Sequence, residues 1–193
     1  MKKYSTRIVD KMLDRMLQGA GAVLIQGPKW CGKTTTAEQH AKSIVYMDDP
    51  DYMEQNIELA SLSPKKLLEG HTPRLIDEWQ LAPQLWDAAR FEIDHRGELG
   101  QFIFTGSAVP ADNNKIHHTG TGRFAWLTMR TMSLFESGES TGEVSLNNLF
   151  DKQEIFGTNT LNIDSLAWLI CRGGWPQATT VNKKVALDMA YRY

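Results

Sequence analysis

Gly27-Pro28-Lys29-Trp30-Cys31-Gly32-Lys33-Thr34 fills every specified position of the pattern G-x-x-x-x-G-K-[ST], whose chemistry is the holding of a nucleotide triphosphate by its phosphates. Glycines are needed at Gly27 and Gly32 because the backbone must curl around the β-phosphate with its N–H groups turned inward, in dihedrals that a side chain obstructs. Lys33 supplies a mobile cation for the β- and γ-phosphates, and the Thr34 hydroxyl a ligand for Mg²⁺. Pro28, Lys29, Trp30 and Cys31 complete the loop, and Thr35 continues it.

Hydrolysis of such a nucleotide needs Mg²⁺ near the phosphates and a group that orients or deprotonates the attacking water. Asp77-Glu78, at the end of a short apolar run, offers both. Asp77 is the candidate for Mg²⁺ or its water shell, and Glu78 for the water beside the γ-phosphate. Thr105-Gly106-Ser107 adds hydroxyls, of which Ser107 is the candidate for sensing the γ-phosphate or positioning the water. Arg123, after Gly120-Thr121-Gly122, is a candidate arginine finger for a neighbouring subunit. His117-His118 lacks a Cys or carboxylate at metal spacing and reads as loop.

These side chains can act together only if the fold gathers them. Ala22-Val23-Leu24-Ile25-Gln26 is nearly continuously apolar and reads as a buried parallel strand. Residues 33–42 contain no proline or glycine and read as a helix whose N-terminal amides and dipole face the phosphates. Further strands are expected at 44–47, 74–76, 101–104 and 124–129. Helices are expected from a Ser5 or Thr6 cap to Gly19, from Pro50 to about Leu59, from Ser63-Pro64 to near Gly70, and from Ala82 to Arg96, closed by Gly97. Residues 111–122 read as a surface loop. Strands alternating with helices imply a parallel α/β sheet covered on both faces, with ligands in the crevice at the carboxyl ends of the strands. The motifs at three strand ends are therefore expected to converge.

Past Ser133 the signal thins. Residues 141–159 are polar, and 163–171 are apolar enough for a buried helix that Gly173-Gly174-Trp175-Pro176 breaks. Residues 183–193 read as a helix without a stop signal, as in a fragment of something longer. The organisation expected is a nucleotide-binding domain over 1–132 and a partial, mainly helical segment over 133–193.

The 193 residues are 41% hydrophobic and 23% charged, the balance of a soluble globular protein. A formal net charge of -2 gives no global attraction to nucleic acid, and whether nucleic acid is engaged is not legible. The basic residues of the N-terminus alternate with Asp10 and Asp14, as on a solvated helix face. A disulfide at Cys31 would disturb the loop, so a reducing cytoplasm is expected. No apolar run marks a signal peptide or a membrane span.

The order Gly27-to-Thr35, Leu75-Ile76-Asp77-Glu78-Trp79-Gln80, Phe104-Thr105-Gly106-Ser107-Ala108, Gly122-Arg123 and Ser133-Leu134-Phe135-Glu136 resembles the AAA-type domain of a broad family of prokaryotic ATP-binding proteins. In that family a C-terminal region of uncharacterised function follows, often described as restriction-endonuclease-like. Gly173-Gly174-Trp175-Pro176 resembles the Gly-Gly-aromatic-Pro near the junction. The resemblance covers most of the chain, although Tyr193 falls short of the family's usual extent. It implies an AAA-type P-loop NTPase fold, a three-layer sandwich around a parallel five-stranded sheet, with ATP and Mg²⁺ as ligands. It also implies the roles given above for Lys33, Thr34, Asp77, Glu78 and Ser107. Trp30 and Cys31 are unusual there but occupy unspecified positions.

The leading expectation is an ATPase whose hydrolysis drives a conformational change in an attached domain or partner. An ATP-dependent binding module that does not hydrolyse is the alternative. A small-molecule phosphotransferase is disfavoured because residues 111–122 carry no arginine-rich lid. A GTP switch is disfavoured because Asn182-Lys183-Lys184-Val185 lacks the aspartate of a base reader. A homo-oligomer is implied if Arg123 acts in trans.

Overall fold

The structure, a computed structural model, describes residues 4–106, 120–151 and 154–192. Its chain divides into two compact units, one spanning Ile8–Arg130 and the other taking in residues 4–7 and 131–192.

Five strands build the larger unit: β1 (Ala22–Gln26), β2 (Ser43–Tyr46), β3 (Arg74–Asp77), β4 (Phe102–Thr105) and β5 (Phe124–Thr128). Each is short, apolar and within a residue or two of its predicted range. They form one sheet in the order β2-β3-β4-β1-β5, and every neighbouring pair is parallel. Between them run α1 (Asp10–Gly19), α2 (Lys33–His40), α3 (Met53–Leu62), α4 (Pro64–Leu67) and α5 (Gln84–Arg96). Gly97 closes α5 at φ 67°, in the left-handed region that glycine enters without a Cβ clash.

Alternation along the strands gives the sheet two buried faces. Ala22, Leu24, Ile76, Phe102 and Phe104 pack with Leu67 and Leu68 and with Leu85, Trp86, Ala89 and Ile93 of α5. Val23, Ile25, Leu75 and Ile103 are fully buried on the other face, and α1 and α2 pack on β1. This is the three-layer α/β sandwich of the P-loop NTPase fold. Trp79, Trp86, Phe104 and Phe124 form an aromatic group, with Trp86 stacked on Phe124 at a centroid distance of 3.8 Å.

Two predicted helix starts move by three residues or more, and that of α5 moves by two, from Ala82 to Gln84. The first helix begins at Asp10, not at Ser5 or Thr6, because Arg7 belongs to the smaller unit and donates to Glu136 at 2.9 Å. The helix expected from Pro50 begins at Met53, after a turn in which the Asp49 carboxylate accepts from the Asp51 N–H.

The smaller unit contains α6 (Leu146–Phe150), α7 (Ile163–Arg172) and α8 (Lys183–Tyr191). Side chains of Ser145, Asn162 and Asn182 cap them by accepting backbone N–H bonds. α6 lies in the stretch expected to be irregular. α7 is not the wholly buried helix expected, since Leu169 and Arg172 are buried whereas Ile163 and Ile170 are 84% and 74% exposed. Gly174 must be glycine, because a Cβ there would meet the Met132 carbonyl oxygen at 2.1 Å. Among the described residues no helix is long and apolar enough to cross a membrane.

Candidate functional site

The sheet register builds the site. Ile25 lies opposite Thr105, and Thr105 opposite Asp77, so the ends of β1, β4 and β3 fall in one row. Neighbouring strands are about 4.8 Å apart, which leaves adjacent side chains within hydrogen-bond reach. The loop from Gly27 begins where that row ends.

Gly27 is fixed by close packing: a Cβ there would stand 2.1 Å from the Met129 carbonyl oxygen, just past β5. Gly32 stands at φ 102° and caps α2, so the helix opens directly behind the loop. Its first amides are the unsatisfied donors that a phosphate accepts from. Cys31 is fully buried beneath the loop, with Sγ 3.8 Å from the Met129 oxygen. Trp30 is the opposite case, 65% exposed and held at φ 65°, with the Lys29 ammonium 6.0 Å from its ring centroid. A left-handed tryptophan stores backbone strain of order 1 kcal/mol or more, and such strain gathers at binding loops. At its far end α2 is tied to α1, where the ring nitrogens of His40 stand 2.8 Å from Asp14 Oδ1 and 3.5 Å from Asp10 Oδ1.

Lys33 is only 6% exposed, and its Nζ donates to the carbonyl oxygens of Gly27 and Pro28, each at 3.0 Å. The cation therefore lies along the inner rim of its own loop. Thr34 Oγ1 donates to Asp77 Oδ1 at 2.9 Å, and the Thr105 hydroxyl donates to the same oxygen. Burial pushes the Asp77 carboxyl above its usual range; the Thr105 and Thr34 hydroxyls pull it back, and the charges of Glu78 and Asp48 push it further up. Beside it, Tyr46 pairs with Asp77 across β2 and β3 and donates to Glu38 at 2.8 Å. Burial, then the Glu38 carboxylate, holds that phenol up at about 12.

Glu78 follows directly in the left-handed region, at φ 52° and ψ 43°, and accepts from Gln80 Nε2. The predicted residues Gly27 to Thr35, Asp77 and Glu78 are thus all at the carboxyl end of the sheet. Ser107 lies outside the described residues, as does His117-His118. Arg123 stands elsewhere: it precedes β5, and its carbonyl accepts from the N–H of Ala22, the first residue of β1. At about 3.3 Å per residue the length of β1 puts roughly 16 Å between that edge and the loop. There Arg123 donates to Asp94 through Nε at 2.8 Å and Nη2 at 3.4 Å. That pair raises the Arg123 guanidinium and lowers the Asp94 carboxyl.

The donor set suits a nucleotide-bound divalent cation. Among the described residues no three His, Cys, Asp or Glu side chains are grouped to hold a metal by themselves. One hydroxyl and one carboxylate are brought together instead, which is how Mg²⁺ is held when phosphates and water complete its shell. The residues to which motif reading gave no role are Tyr46, Glu38 and Gln80. Only Gln80 carried a signal, as the last residue of the motif that starts at Leu75.

A family model described as an AAA domain matches residues 20–137, more than half of the chain. No curated protein matches. Among solved structures, the chain is similar over its full length to a Signal Transduction ATPase with Numerous Domains protein with a tetratricopeptide repeat sensor from Pyrococcus horikoshii. The TM-score is 0.51, the identity is 15%, and the chain spans 33% of that structure's length. C. elegans PCH-2 matches over 94% of this chain and 59% of its own, at 13% identity and a TM-score of 0.38.

Proposed function

The chain belongs to the AAA domain family, and from that premise we propose that it binds ATP with Mg²⁺ at the loop from Gly27 to Thr35 and hydrolyses it. One observation carries the reading: Lys33, Thr34, Asp77 and Glu78 meet at the carboxyl end of one parallel sheet, with Thr34 already bonded to Asp77 at 2.9 Å. Nothing in the packing of the sheet requires a buried lysine and a buried carboxylate there. Both cost free energy in an apolar setting, and such a cost is borne where a ligand uses it.

The division of labour follows from the side chains. Lys33 leaves the carbonyls of Gly27 and Pro28 to meet the phosphates, exchanging two neutral acceptors for an anionic one. Thr34 and Asp77 would hold Mg²⁺, which when bound neutralises charge on the phosphate oxygens. Thr105 donates to Asp77 and so orients that carboxylate toward Thr34. Glu78 is the carboxylate that orients the attacking water and accepts its proton. Ser107 is proposed to contact the γ-phosphate. Arg123 lies at the opposite edge of the sheet, so its use as an arginine finger requires a second copy of the chain. Hydrolysis in this reading drives a change in an attached domain or partner. The sequence from Ala111 to Gly122, which carries no arginine, supports transfer to water over transfer to a small acceptor.

Phosphate release and ATP binding by the wild-type chain, compared with Lys33→Ala and Glu78→Gln, test the reading. Lys33→Ala is expected to weaken ATP binding at least tenfold, and Glu78→Gln to keep binding but lower turnover by about a hundredfold. A wild type that binds ATP yet releases no phosphate above either variant overturns hydrolysis and leaves an ATP-dependent binding module.

A further inference from the structure

Gln80 sits in a single turn of 3-10 helix, Trp79–Leu81, that leaves the carboxyl end of β3. Trp79 anchors that turn in the core, with ring centroids 5.1 Å from Trp86 and 6.1 Å from Phe104. On this fixed base the Gln80 amide points two ways. Its Nε2 donates to Glu78 Oε2, and its Oε1 is buried with no hydrogen-bond partner among the described residues. A carboxylate only accepts, so the nitrogen end must face Glu78 and the carbonyl end must face away. It faces Gly106, where a Cβ would stand 2.2 Å from Oε1 and 3.2 Å from Cδ. The amide thus spans the space between the acid after β3 and the turn after β4.

We infer that Gln80 is the positioning residue for Glu78: its amide ties Oε2, leaves Oε1 to act on water, and fixes the left-handed backbone on which that carboxylate stands. The inference rests on the reading of Glu78 as the group that acts on water. Its physical basis is the pair of costs that the arrangement carries. A non-glycine residue at φ 52° is strained, and a buried carbonyl without a donor among the described residues forfeits a hydrogen bond. A glutamine kept only for packing would be replaced at a gain in stability by an apolar side chain of its shape. Gly106 follows from the same geometry, since any larger residue there would displace the Gln80 carbonyl.

Gln80→Met keeps the shape, removes the unpartnered acceptor and removes the donor to Glu78. It is expected to melt at the wild-type temperature or higher while kcat for phosphate release falls roughly tenfold to a hundredfold and KM changes less than threefold. In single-turnover reactions the same substitution made in Glu78→Gln is expected to change the rate less than twofold, because the group being positioned is already disabled. An equal fall in both backgrounds, or a rise in KM matching the fall in kcat, overturns the assignment. A second readout needs no turnover: the side-chain amide resonances of Gln80 in a ¹⁵N spectrum should move in Glu78→Ala. If they stay in place the pairing is absent and the assignment falls. A wild type without phosphate release, with those resonances still moving, instead overturns the hydrolytic reading and leaves the pairing standing.

Discussion

The two units of the chain are held by different physics. The sheet unit is organised by apolar area: Phe102, Phe104, Leu24, Ile25, Leu75, Ile76 and Ile103 are almost wholly removed from water. In the smaller unit the buried apolar side chains among the described residues are Met132, Leu169, Ala178 and Ala186. Buried charge does more of the specifying there. Arg7 is paired with Glu136, whose carboxylate also accepts from the N–H and hydroxyl of Ser133. Arg172 is paired with Glu139 and Ser137, and its guanidinium lies 5.2 Å from the Trp168 ring centroid. Apolar burial stabilises in proportion to area and tolerates small shifts, whereas a buried ion pair adds little net stability and fails sharply when one partner is lost. A unit of the first kind can carry costly polar groups at one edge. The second kind has no such reserve.

The largest effect that could break this contrast is at Phe104. Phe104→Ala should cost about 4 kcal/mol, read from the denaturant midpoint and from faster hydrogen exchange across β1 and β4. A loss below about 1 kcal/mol would mean that the sheet is not held by its core. Next comes Arg172→Ala, which leaves Glu139 half-buried without its cation. About 3 kcal/mol should be lost locally, as faster exchange in α7 and α8 with β1 and β4 unchanged.

The smallest effect has the opposite sign and sharpens the comparison through pH. Burial raises Asp77, so the folded sheet unit gains from protonating it. The penalty of its charge is present at neutral pH and vanishes as pH falls through the raised pKa toward the unfolded value near 3.8. Asp77→Asn should therefore stabilise the nucleotide-free chain at pH 7, by less than either loss above, with the gain shrinking as pH falls toward the unfolded value near 3.8, while Mg²⁺-dependent phosphate release is lost. Glu139 runs the other way. Burial alone would raise it, but the donors Arg172 and Ser137 hold its carboxyl below the usual range, so its contribution is present above that range and lost in acid. Paired pH titrations of wild type and Asp77→Asn, followed by near-ultraviolet circular dichroism, check the sign.

What was legible in the sequence tracks the same division. The strands and α2 were readable because each is a short apolar run or an unbroken helical stretch, and the position of Asp77 followed from the end of its strand. The start of α1 was not, because Arg7 answers to Glu136, 129 residues away. α6 escaped because five residues give no period to read, and its Leu146, Leu149 and Phe150 are exposed. The tie between Gln80 and Glu78 depends on a left-handed backbone at Glu78, and no pattern of side chains announces that in a residue other than glycine.

The contact between Gly27 and the Met129 carbonyl reaches into heredity. Every missense change in a glycine codon adds at least one carbon, and at Gly27 that carbon lands on the backbone just beyond an edge strand. Backbone cannot swing aside as a side chain can, so the loop's first residue can mutate only if the end of β5 moves with it. Drift at this codon is closed by a neighbouring strand before any ligand is asked to judge it.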